Sequence, residues 1–209
     1  YKWSAAYGAE SAYMAYICSH DVGWFIEIGA ELYLITGNKT YLKAALLACD
    51  WALKIQVGCS EWLKKFENEY VGVVKEGRCV KFCIRQGIKF PESMRGAFTE
   101  GMFFFSGMPP DFGEWNSDSN FAEPATWLAP EHTTPIIRGL LLVYSITGNT
   151  TLLDVAVRAG KWLLTMQDES GGIYTSYPPE VHGIRTGDTA SAALVFFKLY
   201  DYTGDKEFL

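Results

Sequence analysis

Apolar residues crowd every side of "TTPIIRGLLLVYSI" (133–146) and "DTASAALVFFKLYDY" (188–202), which predicts helices with protein around most of their surface. The stretch after the first of these reads differently. Asp154, Arg158, Lys161 and Thr165 recur at i, i+4, i+7 and i+11 and draw a single polar stripe along a helix. Lys43, Asp50 and Lys54 draw the same stripe earlier in the chain. Between the two kinds of helix stands Thr-Gly-Asn or Thr-Gly-Asp. Glycine can adopt the left-handed conformation that stops the first helix, and Asn or Asp can cap the second. The predicted unit is a buried helix, a tight turn and an amphipathic helix outside it.

The unit is written more than once. "VYSITGNTTLLDVAVRAGKWLLTMQ" (143–167) matches "LYLITGNKTYLKAALLACDWALKIQ" (32–56) at an offset of 111, and "LYDYTGDKEFL" (199–209) begins a third copy at a further offset of 56. Two antiparallel helices cannot bury both faces alone, so such hairpins stack side by side. The expected architecture is all-α, a helical-hairpin (α/α) toroid that is incomplete over 1–209, with hairpins at about 22–56, 133–167 and 188–209. A spacing of 111 leaves room for one more unit, but "KFPESMRG" stands where its turn belongs. "MRGAFTEGMFFFSG" (94–107) echoes "IRGLLLVYSITG" out of register. Residues 57–130 are therefore either a degenerate hairpin or a long loop-rich insertion with some strand in "VGVVKEGRCVKFCIRQGIKF".

With 209 residues, 49% of them hydrophobic and 15% aromatic, the chain can bury a sizeable core. A net charge of −6 with scattered Lys and Arg argues against a nucleic-acid partner. No apolar run reaches the roughly 18 residues of a membrane span, so no membrane partner is expected. Five cysteines without a Cys-x-x-Cys argue against a disulfide framework and a zinc knuckle, and reduced cysteines fit the cytoplasm. Cys79 and Cys83 can sit one helical turn apart, yet two lone thiols make a poor metal site. Asn38 and Asn149 satisfy the glycosylation pattern, but they share one repeat position and a turn accounts for both. The chain starts at Tyr1 and stops inside a repeat, which reads as a piece of a longer protein. The missing hairpins would come from more chain or from a partner subunit, as in a homo-oligomer.

The repeat offsets also point to chemistry. Asp21 shifted by 111 falls on His132, and His132 shifted by 56 falls on Asp188. All three stand at predicted starts of inner helices, in "SHDVGW", "EHTTP" and "TGDTAS". Such ends converge on one mouth of a toroid, where two carboxylates and an imidazole suit general acid–base catalysis. Asp21 and Asp188 are the expected acid/base pair, with His132 and Glu131 assisting. The competing reading makes Asp21 and Asp188 plain N-caps, with Thr133 and Thr134 capping the helix at His132. The loops before these starts, "MPPDFGEWNSDSNFAEPATWLAPEH" (108–132) and "GGIYTSYPPEVHGIRTGD" (171–188), interleave rings with acids. Rings stack on the C–H faces of sugars and acids bind their hydroxyls. The expected sugar-binding residues are His20, Trp24, Asp111, Trp115, Trp127, Tyr177, His182 and Arg185, the last for a uronate carboxylate. No cofactor and no metal are implied.

Alternating inner and outer helices of this kind resemble the (α/α) toroids of the six-hairpin glycosidases and their relatives, over roughly 21–56 and 131–209. "SHDVGWFIEIGAELYLITGNKTYLKAALLACDWAL" is similar to the unsaturated glucuronyl hydrolases, in which a His-Asp-x-Gly-Phe stretch opens an inner helix ending in a Thr-Gly-Asp turn. Here the stretch is His20-Asp21-Val22-Gly23-Trp24, and the resemblance carries a catalytic role to Asp21. That family's second essential Asp, followed by Met, Asn and Leu, has no counterpart in 57–130, so Asp111 or Asp188 would take its place. "RAGKWLLTMQDESGGI" (158–173) resembles the QW repeat of triterpene cyclases, which ties outer helices of a related toroid together, while those enzymes' Asp-rich acid motif is absent. Sugar 2-epimerases share the toroid and use paired histidines at its mouth, for which His132 and His182 are candidates. The resulting expectation is a glycoside hydrolase acting on an oligosaccharide or uronic-acid-containing sugar. The alternatives are a 2-epimerase-like isomerase and a non-catalytic module that binds glycan or protein.

Overall fold

The computed structural model describes the backbone of residues 2–4, 13–59, 69–75, 78–86, 92–99, 101–106, 120–124, 128–177, 179 and 183–209, and the side chains of 18–59, 92–99, 128–177, 179 and 183–209. Five helices carry the repeat. Inner helices α1 (Ser19–Thr36), α3 (Pro130–Thr147) and α5 (Thr186–Thr203) alternate with outer helices α2 (Lys39–Lys54) and α4 (Thr150–Thr165). A short 3-10 turn at Lys206–Phe208 stands where the third outer helix begins.

The Thr-Gly-Asn/Asp turn works identically in all three units. Gly37, Gly148 and Gly204 have φ of 68°, 69° and 68°, and each N–H returns to a carbonyl four residues back. Asn38, Asn149 and Asp205 then accept from the backbone N–H two residues on. The threonine before each glycine accepts from the N–H of the capping residue. Both glycosylation-like asparagines are thus occupied as helix caps.

Helix α3 packs on α1 along one side and on α5 along the other, and its residues 132–137, 139–141 and 143 are buried. The α1–α3 contact is unusually close. A Cβ on Gly23 would lie 2.5 Å from the Ile136 nitrogen and 2.7 Å from the Pro135 Cβ, and one on Gly139 would lie 2.8 Å from the Ile26 Cβ. Gly23 faces residues 135–136 and Ile26 faces Gly139, so the two helices run parallel. Pro135, inside α3, has no N–H to donate and offers a flat ring against Gly23. The outer layer is tied across units by Gln56, whose amide nitrogen donates to the carbonyls of Gly96 and Val155 while its oxygen accepts from Arg158. Gln56 is buried, so the bonds satisfy groups that water cannot reach.

Among the described residues of 57–130 the backbone forms strands β3 (Glu69–Lys75), β4 (Arg78–Gln86), β5 (Gly101–Ser106) and β6 (Asn120–Pro124), and near the N-terminus it forms β1 (Lys2–Ser4) and β2 (Tyr13–Cys18). β3 and β4 pair antiparallel, and the other four form an antiparallel sheet in the order β1-β2-β5-β6. The expected strand in 71–90 is present as β3–β4, which places Cys79 and Cys83 on a strand and not on one helical turn. The echo at 94–107 is a turn followed by β5. Its turn, 92–99, pairs backbone with 55–57 and sends Phe98 into the core. β2 runs directly into α1, so this sheet borders an inner-helix start.

Helices α1 and α5 have an inner-helix neighbour on one side each. Phe25 and Ile28 on α1 and Leu194 and Phe197 on α5 stand exposed. Among the described residues no helix is long and apolar enough to cross a membrane.

The helix contact makes a quantitative prediction. Gly23→Ala forces backbone apart and should cost about 3 kcal/mol or more in urea unfolding. Gly148→Ala meets nothing within 4 Å but keeps a φ of 69°, and should cost only about 1–2 kcal/mol. Equal costs would refute a close contact between α1 and α3.

Candidate active site

Asp21, His132 and Asp188 each occupy the third residue of an inner helix, as the repeat offsets require. They do not cap those helices. The N-cap positions are Cys18, Ala129 and Arg185, none with a side-chain cap, and Thr133 and Thr134 are buried inside α3. The capping reading is therefore replaced by one in which these side chains sit in the first turn, where the helix dipole favours a carboxylate.

A continuous chain of contacts runs along the rim. The Nδ1 of His20 lies 3.5 Å from the Asp21 carboxylate, and the His20 ring meets His132 edge-on at 6.4 Å between centroids. His132 Nε2 is 3.8 Å from Glu131, and Arg185 donates to Glu131 at 3.0 Å. The same Arg185 nitrogen lies 3.8 Å from Asp188. Asp21 is at the wet end of this rim, its side chain 70% exposed. Asp188 is at the dry end, 8% exposed, and its Oδ2 has no hydrogen-bond partner among the described residues. Burial pushes the Asp188 carboxyl above its ordinary value; Arg185 opposes the rise and Glu131 adds to it. Burial pushes His132 below its ordinary value, against Glu131, with His20 lowering it and Asp21 raising it.

No protein-family model and no curated protein matches the chain. Solved structures do. A family 76 alpha-mannanase of Bacteroides thetaiotaomicron aligns over 96% of this chain and 42% of its own, with a TM-score of 0.56 and 16% identity. An alpha-1,6-mannanase of Salegentibacter sp., an inactive variant in complex with alpha-1,6-mannotriose, aligns over 92% and 44%, with a TM-score of 0.56 and 12% identity. A sugar epimerase from a ruminal bacterium aligns over 93% and 41%, with a TM-score of 0.50 and 11% identity.

The fold is that of these (α/α) toroids. The chain spans about two fifths of the length of these toroids.

Within this toroid rim, the sequence-predicted residues separate into three groups. Asp21, His20, Trp24, Glu131, His132, Arg185 and Asp188 stand on the starts of three successive inner helices. Tyr177 is half-buried and its hydroxyl is 2.6 Å from the Ser93 hydroxyl, so it braces the 171–185 loop against the 92–99 turn. Arg185 is already engaged by Glu131 and Asp188. Asp111, Trp115, Trp127 and His182 lie outside the described residues. No group of three or more metal-ligating side chains occurs among the described residues.

Two functional candidates escaped the sequence reading. Glu27 accepts from both Nε and Nη2 of Arg138, at 3.1 and 2.7 Å, and Glu27 is 9% exposed in its side chain. The guanidinium lies 5.1 Å from the centre of the Trp24 ring. The signal was available: Glu27 shifted by 111 is Arg138, opposite charges at one repeat position near the middle of two inner helices.

The two shifted groups predict opposite pH effects. The folded chain holds the Asp188 proton more tightly than the unfolded one, so this contribution to stability is full below the ordinary value of 3.8 and is lost as pH rises through the raised folded value. Asp188→Asn should therefore be more stable than the native chain at neutral pH, an advantage that shrinks as the buffer is acidified toward pH 4. The His132 contribution is full above 6.5 and is lost as pH falls through its lowered folded value. His132→Gln should flatten the acid-side loss that begins below pH 6.5. Denaturation midpoints across pH 4–8 check both signs, and parallel curves for native and variant chains would contradict them.

Proposed function

We propose that this rim belongs to a carbohydrate-active enzyme whose reaction is glycoside hydrolysis. The observation that carries the reading is the buried Asp188 carboxyl. Its raised affinity for a proton, with Glu131 adding to the rise, suits the acid that protonates a leaving glycosidic oxygen. Asp21, at the exposed end, then takes the proton of the water that adds to the anomeric carbon as the C–O bond breaks. His132 and Glu131 assist by linking the two ends, and Trp24 offers a ring for the sugar. The active unit includes further hairpins, stacked beside the exposed apolar faces of α1 and α5.

Mannose-containing oligosaccharides are the first substrates to try, because two of the similar toroids are mannanases and one is in complex with alpha-1,6-mannotriose. That inactive variant carries Asp-to-Asn changes at two consecutive positions. No two aspartates are consecutive in these 209 residues, and the carboxylates proposed here stand on separate helices. Uronic-acid oligosaccharides are the second probe, following the resemblance around Asp21.

One observation favours a second reading. His20 and His132 meet in a T-shaped contact on the rim, a histidine pair of the kind a sugar 2-epimerase uses, although the expected pair was His132 with His182. A single experiment separates the two. Reducing-end release from alpha-1,6-mannotriose and from a uronate oligosaccharide is followed beside exchange of the C2 proton of free mannose in D2O. Hydrolysis should fall about 100-fold or more in kcat on Asp188→Asn. Exchange without cleavage, abolished by His132→Gln, would establish the isomerase instead. Sugar binding with neither reaction would mark a binding module.

A further inference from the structure

His20, Trp24 and Glu27 follow i, i+4, i+7 on α1 and share one face of it, opposite His132 and Arg138 of α3. The indole nitrogen of Trp24 is 2.9 Å from Nε2 of His20. Tryptophan offers a donor and no acceptor. Nε2 of His20 must therefore carry a lone pair, and the proton of the neutral ring sits on Nδ1, the nitrogen 3.5 Å from Asp21. A protonated His20 would turn N–H against N–H. Behind Trp24, the Arg138 guanidinium lies 5.1 Å from the ring centre and is itself held by two hydrogen bonds to the buried Glu27. The fixed end of this series is deep between α1 and α3, and its free end is Asp21.

We propose that Glu27, Arg138 and Trp24 form a positioning ladder that holds His20 as the neutral Nδ1–H tautomer, with that N–H directed at the Asp21 carboxylate. Glu27 orients Arg138, Arg138 orients the indole, and the indole N–H selects the tautomer. None of the three touches the reacting atoms in this scheme. The ladder makes His20 a donor to Asp21 and withholds its Nε2 from use as a base. Its bearing on catalysis rests on the proposed role of Asp21; the tautomer itself does not.

The test is nitrogen NMR of the full chain with 15N-labelled histidine, in which long-range nitrogen–proton correlations distinguish protonated from bare ring nitrogens. The chain has three histidines, and His20→Gln identifies the signals of His20 by their loss. The expected native spectrum has a protonated Nδ1 and a bare Nε2 for His20. Trp24→Phe keeps an aromatic ring, smaller than the indole, for Arg138 and removes the N–H, and should move His20 to averaged signals of a tautomer mixture. The paired change Glu27→Gln with Arg138→Met leaves no buried charge unpaired and should move His20 part of the way. A protonated Nε2 in the native chain, or a His20 spectrum indifferent to Trp24→Phe, would overturn the proposal. If the protein hydrolyses a glycoside, the paired change Glu27→Gln with Arg138→Met should also lower kcat about threefold with KM little changed. A native chain that shows the tautomer but cleaves nothing supports the ladder and counts against the hydrolase reading alone.

Discussion

The backbone-to-backbone contact at Gly23 and Gly139 governs how the rest of this molecule is arranged. Two side-chain hydrogens in place of two methyls let α1 and α3 approach closely at these positions, where a Cβ would lie 2.5 Å from the Ile136 nitrogen and 2.8 Å from the Ile26 Cβ. The contact also sets register, because each glycine receives a defined partner: Pro135 and Ile136 against Gly23, Ile26 against Gly139. With the register set, the repeat-equivalent Glu27 and Arg138 meet, and His20 approaches His132, the residue after its own equivalent Glu131. The electrostatics of the rim follow from a steric fact several residues away.

A repeated hairpin offers the same backbone position several times and leaves its chemistry open. The third residue of an inner helix is Asp in the first unit, His in the next and Asp in the last. What differs is the surroundings. Asp21 has only His20 within ion-pair distance among the described residues and stays wet. Asp188 is packed beside Glu131 and Arg185 and loses most of its water. Two carboxyls of the same type, on the same kind of helix start, thereby differ in exposure, and burial raises the proton affinity of Asp188.

The rim also concentrates groups that cost stability. A buried carboxyl oxygen of Asp188 and one of Glu27 have no hydrogen-bond partner among the described residues. Removing one member of a buried ion pair such as Glu27–Arg138 is generally more harmful than never having had it, since the survivor is left uncompensated. The tight turns and the Gln56 bridge, by contrast, hold their capping side chains and both ends of the Gln56 amide in hydrogen bonds.

The sequence by itself determined the hairpin. Thr-Gly-Asn and Thr-Gly-Asp encode their own turn through left-handed glycine and a side-chain cap, both local interactions that need no distant partner. The offsets of 111 and 56 placed Asp21, His132 and Asp188 at equivalent helix starts because one repeat has one geometry. The strand in 71–90 was foreseen only as one of two alternatives, and the four-stranded sheet not at all, since pairing β2 with β5 depends on residues more than 80 apart. Whether Asp21 and Asp188 cap their helices, which of them is dry, and that Arg138 lies beneath Trp24 were decided by tertiary structure alone. Burial and ion pairing depend on what another segment brings, and here that is settled by how closely two glycines allow α1 and α3 to pack.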